Sequence, residues 1–140
     1  MSPFAKDWDE ATIETAIARD DPSELLYVPI MVGMNAPDFD GLWVQDVCVK
    51  LARHTHFNVR ANAMLGFGHI ARTRRELDLV RVAPIISAAL LDSHPDVRDH
   101  ANSAACDIEM FLGFSVPGYD GETTVAIGEA IEELRRQHGI

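Results

Sequence analysis

His56-Phe57-Asn58-Val59-Arg60-Ala61-Asn62-Ala63 and, 38 residues later, His94-Pro95-Asp96-Val97-Arg98-Asp99-His100-Ala101 decide the reading of this chain. In each copy a turn-forming stretch leads into Val-Arg at the same offset. An alanine-rich run follows, reaching Ile70 in the first copy and Ile108 in the second. A period near 40 residues marks stacked helical pairs, in which a unit buries its apolar face only against its neighbours. Such arrays are binding surfaces first, and little in this chain reads as catalytic machinery.

Working outward, apolar spacing predicts helices throughout and no strand of period two. Asp7-Trp8-Asp9-Glu10 opens a first helix carrying Ile13 and Ile17. Asp21 or Ser23 caps a second, with Leu25, Leu26, Val28 and Met31, which ends at Gly33-Met34-Asn35-Ala36-Pro37. Asp40 caps a third over 41–54, with Val44, Val47, Cys48 and Leu51 inward and Asp46, Val49 and Arg53 on the far side. The fourth, 59–73, turns Val59, Ala63, Phe67 and Ile70 inward. Its Gly66 and Gly68 cost helix propensity, which makes sense where another helix approaches closely. The fifth, 78–91, presents Val82, Ile85, Ile86 and Ala89, with Pro84 expected in the first turn or at a kink. The sixth, 96–112, presents Val97, Ala101, Ala105 and Ile108. After a turn-rich loop over 113–121, Thr123 or Thr124 caps a last helix ending near His138, with Ala126, Ile127, Ala130, Ile131 and Leu134 inward.

The stretch from Pro84 through Asp92 and Val97-Arg98 resembles a HEAT repeat: a proline in the first helix, an aspartate in the turn, then Val-Arg and small residues in the second helix. Residues 42–73 are an altered copy, with Asp46 in the proline's place and His54 in that of the turn aspartate, which puts an Asp–Arg ladder between units in doubt there. The resemblance covers about half the chain. It implies an all-α fold, a short HEAT-like α-solenoid of about seven helices, with 1–140 as one domain. A narrower likeness rests on Trp43-Val44-Gln45-Asp46-Val47-Cys48-Val49-Lys50-Leu51, Asn58-Val59-Arg60, Gly66-Phe67-Gly68-His69-Ile70-Ala71-Arg72 and Asp107-Ile108-Glu109-Met110-Phe111. These look like segments of small bacterial HEAT-like proteins, some of which resemble immunity proteins of contact-dependent growth inhibition and related polymorphic toxin systems. That likeness implies a protein that binds the C-terminal toxin domain of its own cell's delivery system and blocks it. The competing expectation is a HEAT-type adaptor or regulatory subunit unrelated to toxins.

Composition sharpens the partner. The chain of 140 residues carries a net charge of −10, which argues against nucleic acid as a ligand. The charge is uneven: residues 1–46 net −8, residues 47–81 net +5 and residues 82–140 net −7. Acidic flanks suit a basic partner, such as a nuclease-type toxin. No apolar run is long enough to span a bilayer, and no basic-then-apolar leader opens the chain. The expectation is a cytoplasmic protein that engages no membrane, cofactor or small-molecule substrate, with Cys48 and Cys106 as buried free thiols.

No catalytic or metal-binding set assembles from the sequence. His54 and His56 lack a third ligand and read as turn residues, while His56 and His94 occupy equivalent repeat positions. His69 and Asp107 are also equivalent, and a contact between them lacks a nucleophile to complete a triad. Gly66-Phe67-Gly68 neither follows a strand nor opens a helix, so it reads as packing and not as a phosphate loop. The residues expected to meet a partner are Trp43, Asp46, Asn62, His69, Asp99, His100 and Asp107, with Asn62, His69, Asp99, His100 and Asp107 forming a polar strip on the second helix of each pair.

Overall fold

The computed structural model describes residues 8–120 and 136–137, and every regular element among them is helical. In order they are α1 (Glu10–Arg19), the single turn α2 (Pro22–Leu25), α3 (Val28–Met34), a 3-10 turn (Ala36–Asp38), α4 (Gly41–Leu51), α5 (Phe57–Arg74), α6 (Leu79–Ala89) and α7 (Pro95–Leu112). Apart from the α2 turn and the 3-10 turn, that makes six helices among the described residues. The last helix expected from sequence, with its cap at Thr123 or Thr124, lies outside the described residues.

The repeat read from Val-Arg extends to every boundary of the two central pairs. Helices α4 and α6 start and stop 38 residues apart, as do α5 and α7. Asp40 caps α4 by accepting the Leu42 and Trp43 N–H groups, both at 3.0 Å, and Asp78 caps α6 from the equivalent position. The long helices begin on histidine: His56 Nδ1 accepts the Asn58 N–H at 3.3 Å, and His94 Nδ1 accepts the Asp96 N–H at 3.1 Å. An imidazole accepts at Nδ1 only when neutral with its proton on Nε2, so these caps fix the tautomer. Both long helices end in the left-handed region, at Arg75 (φ 58°) and Gly113 (φ 64°). Glycine takes that conformation without strain. Arg75 holds it with its backbone N–H on Ala71 O and its guanidinium over the Phe111 ring, 4.8 Å from the centroid.

Three boundaries depart from expectation. The second helix is broken into α2 and α3, because Pro29 at the start of α3 has no N–H to continue the ladder. The Leu26 carbonyl at that break takes a hydrogen bond from Asn62 Nδ2 at 2.7 Å. Helix α4 stops at Leu51, and Val49, expected on its far side, is buried. Helix α6 runs through Pro84 without ending there.

The most extensive packing is α5 on α7, followed by α3 on α5 and α4 on α5. Helix α5 is therefore covered on three sides. Val59, Ala63, Phe67 and Ile70 are buried, as are Val97, Ala101, Ala105 and Ile108 on α7, the two inward stripes the spacing predicts. Burying one such side chain as large as Phe67 contributes roughly 2–3 kcal/mol. The glycines serve the crossings. A Cβ on Gly66 would lie 2.7 Å from Pro29 O and from Cys48 Sγ, and one on Gly33 would lie 2.7 Å from Gly66 O, so α3 and α5 meet nearly backbone to backbone.

Polar rungs tie the turns together. Arg60 donates from Nε and Nη2 to the two Asp92 carboxylate oxygens at 3.1 and 3.0 Å, joining the first pair to the second. His54, which replaces the turn aspartate in the first pair, instead reaches back to Asp20 Oδ1 at 2.7 Å. Its Nδ1 accepts the His56 N–H, so Nε2 carries the proton and donates. At the altered copy no Asp–Arg rung forms; the bond from His54 to Asp20 stands in its place.

Candidate binding surface

The bonds of α5 define its sides. Towards α3 it turns Asn62, Gly66, His69 and Thr73, the last donating from Oγ1 to Gly33 O at 3.0 Å. Towards α7 it turns Phe57, Arg60, Gly68 and Arg75. Between these flanks a partly uncovered stripe remains at Asn58, Leu65 and Arg72, and on α7 its repeat-equivalents are Asp96, Ser103 and Met110. Tyr27 and Met34 on and beside α3, and Met110 on α7, leave about half or more of their surface in solvent: 49%, 51% and 69%.

Against that geometry the seven sequence-selected residues separate into groups. Trp43 is half-buried against Phe39 and donates Nε1–H to Glu14 at 2.8 Å, so it is no free aromatic anchor. Asp46 is exposed on α4 and paired with Arg81 of α6, away from the α5 and α7 stripe. Asn62 is committed to the Leu26 carbonyl. His100 is partly covered, its Nδ1 buried without a hydrogen-bond partner. Asp99 is exposed at the position equivalent to Ala61, which is buried in α5. The same register explains Cys106, expected to be buried and found exposed: it is the counterpart of Gly68, a position that α7 covers on α5. Cys48 is buried as expected, and burial pushes its thiol up to about 12.

His69 and Asp107 are brought together, and with them Arg72. Arg72 Nη2 lies 3.0 Å from His69 Nδ1. Asp107 lies across the α5–α7 seam above Gly68, where a Cβ would come 2.6 Å from its Oδ2. Burial pushes the Asp107 carboxyl above its ordinary value, against the opposing pull of His69 and Arg72. Burial first and Arg72 second hold the His69 imidazole below its ordinary value, with Asp107 opposing. Among the described residues Asp107 forms no hydrogen bond and no ion pair within 4.0 Å. It is a partly buried acceptor at a seam. The signal for Arg72 was its place in the same i, i+3 stripe as His69; its run with Arg74 and Arg75 hid that, because those two turn elsewhere.

Two cavities of about 330 Å3 flank the junction of the pairs, one at the N-terminal ends of α4 and α6 and one at their C-terminal ends beside Arg53, Ile85 and Asp92. Among the described residues no three His, Cys, Asp or Glu side chains converge as a metal site, and no helix is long and apolar enough to cross a membrane. No protein-family model, curated protein or solved structure matches the chain.

Proposed function

We propose that the chain is a short HEAT-like solenoid serving as an immunity protein, binding a basic, nuclease-type toxin domain through the uncovered side of α5 and α7. The observation that carries this reading is Asp107. It is a partly buried carboxylate close to His69 and Arg72 and hydrogen-bonded to neither, and a partner's lysine or arginine can donate to it. Asp96, Asp99 and Glu109 are further exposed acids of α7, and Met110 is an exposed apolar side chain one turn from Asp107. A polar rim around a small apolar patch suits protein–protein recognition. The acidic balance of the chain steers a basic partner inward at a rate that falls with salt.

The reading is tested by co-expression. A large secreted protein encoded beside this chain's gene is expected to carry a variable C-terminal domain that arrests growth when produced alone. Producing both together restores growth if the chain is its immunity protein. Continued arrest with both proteins present, or the lack of such a neighbour, rejects the reading.

A further inference from the structure

Val80, Pro84 and Ala88 stand one turn apart on the solvent side of α6, and Leu91 extends the line from the turn that follows. All are exposed, Val80 by 89% and Leu91 by 85%. The 38-residue register supplies the comparison. The equivalents at α4 are Leu42, Asp46, Lys50 and Arg53, so the first pair shows water a mostly charged edge where the second shows an apolar one. Helix α6 carries a single charged side chain, Arg81, and Asp46 of α4 pairs with it. Apolar side chains scattered singly over a surface need no partner, whereas a continuous line of them along a helix marks a contact. The cavity of about 330 Å3 at the C-terminal ends of α4 and α6 adjoins this line, with Pro84, Ile85, Ala88 and Met64 in its lining.

The pattern identifies the occupant. About Ile86 the line reads nearly the same in both directions: branched Val80 and Leu91 outside, small Pro84 and Ala88 inside. Two copies of α6 packed antiparallel about a two-fold axis near Ile86 set Val80 of each on Leu91 of the other, and the small residues between let the helices approach. Charge selects the same direction. Exposed Asp38, Asp40, Glu76 and Asp78 lie at the N-terminal ends of α4 and α6, and exposed Lys50 and Arg53 lie at the C-terminal end of α4. Neither Lys50 nor Arg53 makes an ion pair among the described residues. An antiparallel pair lays basic end on acidic end, and a parallel pair lays like on like. The same rotation brings the exposed Leu42 of each copy to the end of the other that holds the cavity.

We propose that the α4–α6 face is the interface of a two-fold symmetric homodimer of this chain, with α6 antiparallel to α6 of the second copy. This face is not the α5–α7 stripe, so the proposal goes beyond the toxin reading and does not rest on it. The test is sedimentation velocity on the full chain, diluted across roughly 1–300 μM to bracket the affinity of a small interface. Salt at about 0.15 M screens the repulsion between two chains of net charge −10. Twice the chain mass is expected at the top of that range, falling to the single mass on dilution. Leu91→Arg and Ala88→Arg are each expected to weaken the dimer at least tenfold without lowering Tm, and Arg53→Glu about threefold or more. A chain that stays monomeric across the range overturns the proposal. So does a dimer that withstands Leu91→Arg and Ala88→Arg, or one lost in Met110→Arg on α7 instead. A monomer whose toxin binding is lost in Leu91→Arg would assign the line to that partner and overturns it equally.

Discussion

At the scale of single residues, Asp107 ties burial to the proposed recognition. Burial pushes its carboxyl above its ordinary value, so the ionised form is less favoured in the fold than in the unfolded chain. The sign follows. The penalty is absent below the unfolded value near 3.8 and grows as pH rises through the raised folded value. Asp107→Asn is therefore expected to raise Tm at pH 7, with the gain vanishing near pH 3.5, and to weaken binding of the basic partner at the same time. Thermal melts across that range decide it; a lower Tm at pH 7 would mean that Asp107 stabilises the free fold. Gly68 beside it illustrates how far sequence reaches. A glycine in a helix, with Gly66 two residues away, indicates a close approach. Which neighbour approaches was hidden: Gly66 serves Pro29 and Cys48, and Gly68 serves Asp107.

At the scale of elements, the helix pairs were legible because their apolar stripes and caps are local. Val59, Ala63, Phe67 and Ile70, then Val97, Ala101, Ala105 and Ile108, are buried as their spacing requires. What failed was non-local. Pro29 breaks a helix at a point where Asn62, 36 residues on, donates to the Leu26 carbonyl, and Cys106 is exposed whereas its counterpart Gly68 is covered by α7. The histidine starts were read only as turn residues, yet both are caps. His94 also stacks on Phe57 with centroids 3.7 Å apart and planes at 11°. His94→Ala should lose cap and stack together, about 1–3 kcal/mol, whereas His94→Asn keeps a capping oxygen and should recover part of that loss. Urea denaturation of the two variants checks this; equal stabilities would show that the imidazole's Nδ1 bond contributes nothing.

At the scale of the molecule, coupling between the pairs and the distribution of charge matter most. The Arg60–Asp92 rung is largely shielded, with side-chain exposures of 20% and 18%. The hydrogen bond from Arg60 holds the Asp92 carboxyl below its ordinary value. Its stabilisation is present above pH 3.8 and is lost as pH falls through the lowered folded value. Arg60→Ala should cost about 1–3 kcal/mol at pH 7 and progressively less in acid. A loss that does not shrink in acid would trace to packing and not to the ion pair.

The uneven charge of the chain was plain in the sequence, but its side was not. Asp46 pairs with Arg81 on α4 and α6, while Asp107 faces the α5–α7 seam unpaired. That difference allows a direct measurement: calorimetric titration of the proposed toxin domain into the wild-type chain, Asp107→Lys and Asp46→Lys. Tight, salt-sensitive binding is predicted for the wild type, weakened at least tenfold by Asp107→Lys and within about twofold of wild type for Asp46→Lys. Binding indifferent to Asp107→Lys but abolished by Asp46→Lys would contradict the account and move the interface to the opposite layer of helices.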